Sequence, residues 1–210
     1  MGATAANLLT QLRDALMDTD AAAYYWTDTL LNDYVQRAAS EYSRASPQLL
    51  STTKNGDGTT RRFDCSAATG LLFVYAVEYP IDEEEPVWLA FQEEAPGTVR
   101  VLTAPPAAGT NNVKIWYAAM HTISTSSTIP PDDDPIIILI AAALAQNAAA
   151  RWSSARLNAS GWTPRQLREL ADENRARADR LLDQVQLRGP HGHSRMPVWP
   201  LQDTERGVGS

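Results

Sequence analysis

The side chains able to do chemistry in this chain are few and scattered. Asp132, Asp133 and Asp134 offer hard carboxylate oxygens of the kind that suit magnesium or calcium. Their spacing lacks the alternating ligands and the glycine of a calcium loop. Acids at a helix start also have a sufficient electrostatic reason to be there, so the structural reading is preferred. Asp82, Glu83, Glu84 and Glu85 form a second acidic run. Adjacent exposed carboxylates have no source of the split pKa values that acid and base catalysis uses, and a solvated loop is expected. His121 closes a β-like run as a lone imidazole, which is expected to be structural. Cys65 is the only cysteine and stands in no nucleophile signature. His191 and His193 are too sparse for a metal site. No Gly-x-Ser-x-Gly elbow, P-loop or Gly-x-Gly-x-x-Gly turn occurs. The chain is therefore expected to be no enzyme, with no catalytic residues, no metal site and no cofactor.

Apolar residues point instead to packing and docking. Tyr24, Tyr25, Trp26, Trp88 and Trp116 are read as core or interface residues before they are read as stacking platforms. Trp26, Tyr34, Leu139, Leu144, Leu167 and Leu170 are the expected subunit-packing residues. At the C-terminal end Met196, Val198, Trp199 and Leu201 alternate with prolines that limit the entropy lost on ordering, so this stretch is expected to be bound by a partner. An alternative keeps the β region as a carbohydrate or host-surface binder working through Trp88, Trp116 and the acidic loop.

Composition sets the frame for these residues. Of the 210 residues 44% are apolar and 20% charged, ordinary globular values, and the length suffices for a real core without staples. A net charge of -7, from 18 basic and 25 acidic residues, argues against tight binding of nucleic acid. A single cysteine excludes an internal disulfide framework and fits synthesis in a reducing cytoplasm. No basic segment precedes an apolar run at residues 1–9, so no secretory signal is expected. The longest apolar stretch, residues 136–150, is about 15 residues, short for a bilayer, and reads as a buried helix.

Periodicity then gives the elements. Leu8, Leu9, Leu12 and Leu16 predict a helix over residues 5–17. Thr27 is placed to cap a second, which ends before Pro47. From 49 to 123 the pattern changes to short β runs. Asn55-Gly56-Asp57-Gly58 predicts a hairpin joining residues 50–53 to 59–64, with further strands at 74–79, 87–91, 98–102 and 113–118. Helix returns with Asp134 as the expected cap and Pro135 at the first position, running to about Trp152. Thr163-Pro164-Arg165-Gln166 opens a last helix to about Leu187, with Arg165–Glu169 and Glu173–Arg177 expected as pairs on its outer side. Gly189-Pro190 stops it. The fold class expected is α+β, mainly α. The divisions are a helix pair (1–48), an inserted antiparallel β module (49–123), helices completing the helical domain (124–188) and an extended tail (189–210).

These features, in this order, resemble the head-to-tail adaptor (connector) proteins of tailed bacteriophages that carry a β insertion. The residues that carry the resemblance are Leu12 to Leu16, Asp18-Thr19-Asp20, Trp26-Thr27-Asp28 and Leu30 to Tyr34. In the middle they are Val77-Glu78-Tyr79-Pro80, Trp88, Phe91, Pro106 to Gly109, the strand at 113–117, His121-Thr122 and Thr128-Ile129-Pro130. The likeness spans about residues 8–187. It implies a virion neck protein forming a homo-oligomeric ring, commonly of twelve subunits, beneath the portal protein and carrying the next neck or tail completion protein. It also implies that double-stranded DNA passes through without specific binding, that no membrane is involved, and that the C-terminal residues engage the portal.

Overall fold

A computed structural model describes residues 3–22, 24–81, 83–151 and 163–188. Helix α1, Ala5–Ala15, begins where the Thr4 hydroxyl accepts the Asn7 N–H at 3.1 Å, which satisfies one of the open donors of the first turn. It ends with Met17 at φ 55°, a left-handed turn in which the Asp18 N–H donates to the Arg13 carbonyl at 2.9 Å. This turn carries Asp18 back beside Arg13. Helix α2, Asp28–Ala45, is capped by Thr27 as its sequence predicts, and its last turn stops just short of Pro47.

A 3-10 turn, Pro131–Asp133, precedes helix α3, Asp134–Arg151. Asp134 is therefore the first residue of the helix, not a cap outside it. Pro130 and Pro131 preset a tighter turn, closed by the Asp133 N–H on the Pro130 carbonyl at 2.9 Å. Helix α4, Pro164–Arg188, opens with the expected reciprocal box: the Thr163 N–H donates to Gln166 Oε1 at 2.9 Å, and the Gln166 N–H to Thr163 Oγ1 at 3.3 Å.

The helices share one core. Helix α3 has no polar side, and Ile136, Ile137, Ile138, Ile140 and most of its alanines are buried. Small side chains let α1, α2 and α4 approach it closely, and it packs on all three. With its 3-10 turn the segment is long and apolar enough to cross a membrane by length and composition, but 72% of its apolar window is buried inside the protein, as in a core helix. Leu8, Leu12, Leu31, Val35, Tyr42, Leu167 and Val185 complete the cluster.

Between α2 and α3 six strands make two antiparallel sheets: β1 Gln48–Gly56, β2 Arg62–Asp64, β3 Leu71–Glu78, β4 Phe91–Ala95, β5 Thr98–Val101 and β6 Gly109–Ala119. Their orders are β1-β6-β3 and β2-β5-β4. The hairpin expected across Asn55 to Gly58 does not form as a strand pair. β1 pairs with β6, and β2 pairs with β5 in the other sheet. The turn chemistry is present, with Asp57 accepting the N–H groups of Thr59 and Thr60, but it hands the chain from one sheet to the other. The strand expected at 87–91 is also displaced. Trp88 makes only an isolated bridge to Glu78, and β4 begins at Phe91. There a tight turn at Gly97, φ 75°, folds β4 onto β5, and an added Cβ would come within 2.9 Å of the Ser66 backbone. The facing sides of the two sheets enclose a separate small core of Phe63, Cys65, Val74, Val77, Val99, Val101, Val113 and Ile115.

The fold is α+β, a helical body interrupted by a small β sandwich. Both connections cross at one buried place. His121 sits there, its backbone N–H donating to Ser43 Oγ at 2.9 Å and its Nε2 lying 3.0 Å from the Ser46 carbonyl, to which it can only donate. Residue 46 leads into β1 and residue 121 follows β6, so one imidazole ties the two connecting segments together.

Candidate functional site

The acidic groups singled out in the sequence do not converge. Asp133 is buried and accepts the Tyr42 hydroxyl at 2.7 Å, a tie between α2 and the turn before α3. Asp134 is buried on the other side, where loss of water pushes its carboxyl above the ordinary aspartate range against the opposing effect of the Ala3 N–H. Asp132 is exposed. No group of three or more His, Cys, Asp or Glu side chains is gathered as a cation would need among the described residues. Glu83, Glu84 and Glu85 stand on an exposed loop, and Asp82 lies outside the described residues.

The nucleophile and base candidates have structural surroundings. Burial pushes the Cys65 thiol upward, away from the thiolate that would attack. His121 Nδ1 lies 3.0 Å from Thr128 Oγ1, which also accepts the Thr122 N–H at 3.0 Å. The imidazole is thus held from both ring nitrogens between backbone and hydroxyl groups, with the Tyr42 ring 5.4 Å away. Its surroundings account for it as a fastening.

The aromatic platform of the β sandwich is occupied by the protein itself. The Trp116 indole N–H donates to Glu78 Oε2 at 2.9 Å, and the Lys114 ammonium lies 4.7 Å from the ring centroid. A stacked sugar would have to displace that lysine. Buried Glu78 thereby has a partner, a role for the Val-Glu-Tyr-Pro stretch that its sequence did not reveal.

Of the expected packing residues, Trp26, Tyr34 and Leu167 are buried in the chain's own helical core, while Leu139 and Leu144 are partly buried against it. Leu170 is half-buried. Burial raises the Tyr34 hydroxyl above its ordinary range. Met196, Val198, Trp199 and Leu201, with His191 and His193, lie outside the described residues.

Sequence reasoning missed two ion clusters. Arg13 is buried, pairs with Asp18 and Asp28, and donates to the Trp26 carbonyl at 3.0 Å, while its guanidinium lies 3.5 Å from the Tyr24 ring centroid. Asp18 also accepts the Tyr25 N–H at 2.7 Å, so one pair fixes the whole α1–α2 turn. Arg175 grips Glu41 with both terminal nitrogens and donates from Nε to Asp179 at 2.9 Å, which ties α4 to α2 and raises the arginine further. The expected Arg165–Glu169 pair forms at 2.8 Å, the expected Glu173–Arg177 pair is not among the ion pairs of the described residues, and Arg175 makes the contact between helices. A regular i, i+4 count favours pairs within one helix, so it could not show an arginine whose partner is on another.

No protein-family model matches the chain, and no curated protein matches it significantly. Among solved structures it is similar to a chain of the neck of an empty GTA particle computed with C6 symmetry, at 18% identity over 79% of this chain and 87% of that one, TM-score 0.30. It is also similar to a chain of the native GTA particle neck computed with C12 symmetry, at 20% identity over 79% and 86%, TM-score 0.29. A third is a chain of the native gene transfer agent virion, at 20% identity over 79% and 87%, TM-score 0.28.

Proposed function

We propose that this chain is a structural neck subunit of a tailed phage or phage-like particle, an adaptor made in the host cytoplasm and assembled as a ring between the portal and the next neck or tail component. The observation that carries the reading is the split body. Helices from before and after the insertion share one core, and the two connecting segments are fastened at His121, so the β sandwich is presented on a rigid base. That construction suits a part that holds neighbours at fixed positions. The surroundings of His121, Cys65 and the acidic residues supply no nucleophile with a base, so the reading is non-enzymatic. The charge of -7 suits a channel through which DNA slides without adhering. The four apolar tail residues, Met196, Val198, Trp199 and Leu201, are the proposed portal contact.

Electron microscopy of the purified chain mixed with its portal protein tests this. Coaxially stacked rings are expected. A chain that stays monomeric by light scattering, alone and with the portal, overturns it.

A further inference from the structure

We propose that the β sandwich forms the contact between neighbouring subunits, with the β1 flank of one copy docking on the β3 flank of the next; this rests on the ring reading above. β1 is a sheet edge paired with β6 without a bulge from Gln48 to Lys54, and no described strand lies on its other side. A long regular edge lacking proline invites association, and lone proteins usually blunt such edges. The opposite edge, β3, is covered over only part of its length. The Tyr79 N–H donates to the Val87 carbonyl at 2.9 Å and the Leu89 N–H to the Val77 carbonyl at 2.8 Å, leaving residues 72–75 with no described strand beside them on that side, in a stretch where β3 shifts register against β6 between Leu71 and Phe73 and between Val74 and Ala76.

The two flanks match in height. Leu49 on β1 and Phe73 on β3 are both level with Ala118 of β6, and they are 36% and 45% exposed. At the other end of the sheet the flanks differ in charge. On the β3 side residues 65–92 hold five acids and no lysine or arginine. Glu83, Glu84 and Glu85 follow β3 on an exposed loop. On the β1 side Lys54 and Arg61 make no ion pair among the described residues. The acids of that side, Asp57 and Asp64, are turned onto the backbone N–H groups of Thr59, Thr60 and Ser66. Thr53, beside Lys54, is level with Lys114, and Lys114 is level with Glu78, so the basic and acidic ends coincide.

Equal heights at both ends let the β1 flank of one copy meet the β3 flank of the next at the same level, and a head-to-tail contact without translation along its rotation axis can close into a ring. The chain's own tail is a poorer occupant. Pro197 and Pro200 have opposite parity along a strand, so one of them would always turn a missing donor toward the β1 edge.

The test uses the full chain carrying Leu49→Cys or Phe73→Cys, treated with a short bismaleimide and separated on a denaturing gel. Native Cys65 is only 1% exposed and is shielded. Leu49 and Phe73 of one chain lie two strand spacings apart, about 10 Å, so a double variant can be bridged within a chain. The decisive sample is the two single variants mixed before assembly, from which covalent dimers are expected, with none from either single variant. Dimers from Leu49→Cys by itself would mean β1 against β1 and would overturn the proposal. No dimer from the mixed single variants, when light scattering shows them to be multimeric, would overturn it too, with the ring reading intact. A chain monomeric both alone and with the portal removes both. In a second arm, Lys54→Glu with Arg61→Glu weakens self-association about tenfold at low salt, and Glu83→Lys with Glu84→Lys restores it. Unchanged association after the first reversal overturns the assigned flanks.

Discussion

The helical body and the β sandwich are stabilised in different ways. Among the described residues the body centres on an apolar helix packed against three others and joins 25 buried residues in one cluster, whereas the sandwich closes over only eight. The body also ties its surface together with charge. Arg13 fixes the first turn and Arg175 joins the last helix to the second, while the sandwich carries an exposed Arg62–Glu94 pair with Arg100 beside it. A small two-sheet core is marginal by itself, and its attachment at Ser43, Ser46 and His121 couples it to the larger one. The difference assigns the body to holding shape and leaves the sandwich free to expose edges.

The comparison can be broken or sharpened by mutation. The largest effect is expected from Arg13→Ala, which strands Asp18 in a buried site and costs about 4 kcal/mol, read by urea denaturation; a loss below about 1 kcal/mol would remove charge from the account of the body. Ile140→Ala in α3 is expected to cost about 3 kcal/mol and to lower a single thermal transition. Val99→Ala in the sandwich should cost about 2 kcal/mol. If the sandwich melts as a separate unit, Val99→Ala will lower only an early phase and leave the helical circular dichroism signal in place, and the coupling through His121 fails. Thr163→Ala removes the cap of α4 and should cost about 1 kcal/mol, with helix α4 fraying first in hydrogen exchange.

The smallest change concerns pH. Burial raises the Asp134 carboxyl in the folded protein above its unfolded value. Its contribution to stability is thus complete below the unfolded pKa and is lost as pH rises through the folded one. Asp134→Asn should raise Tm near pH 7, with the gain disappearing at about pH 3. A gain equal at both values would show that the carboxyl's ionisation is not its cause.

Much of the body was legible because local chemistry and local outcome coincide there. Thr27 and Thr163 are caps wherever the following residues are helical, and the apolar repeat of Leu8, Leu12, Leu31 and Val35 identifies the buried side of α1 and α2. The sandwich was legible only as strands. Val113, Ile115 and Tyr117 alternate with Lys114 and Trp116, and this assigns faces but not neighbours. The turn at Asn55 to Gly58 specifies a reversal, and a reversal can lead into the same sheet or across to another.

By itself, then, the sequence determined the starts of α2 and α4, the mainly apolar character of α3, most of the β runs and the absence of a recognised catalytic motif, since these depend on residues near one another in the chain. Tertiary structure alone decided that β1 pairs with β6, that Asp133 receives Tyr42, that Arg13 and Arg175 become clasps, and that His121 fastens both connecting segments. Each of those joins residues whose meeting depends on the packing of the whole chain, and hydrogen-bonding capacity does not name its partner until that packing is complete.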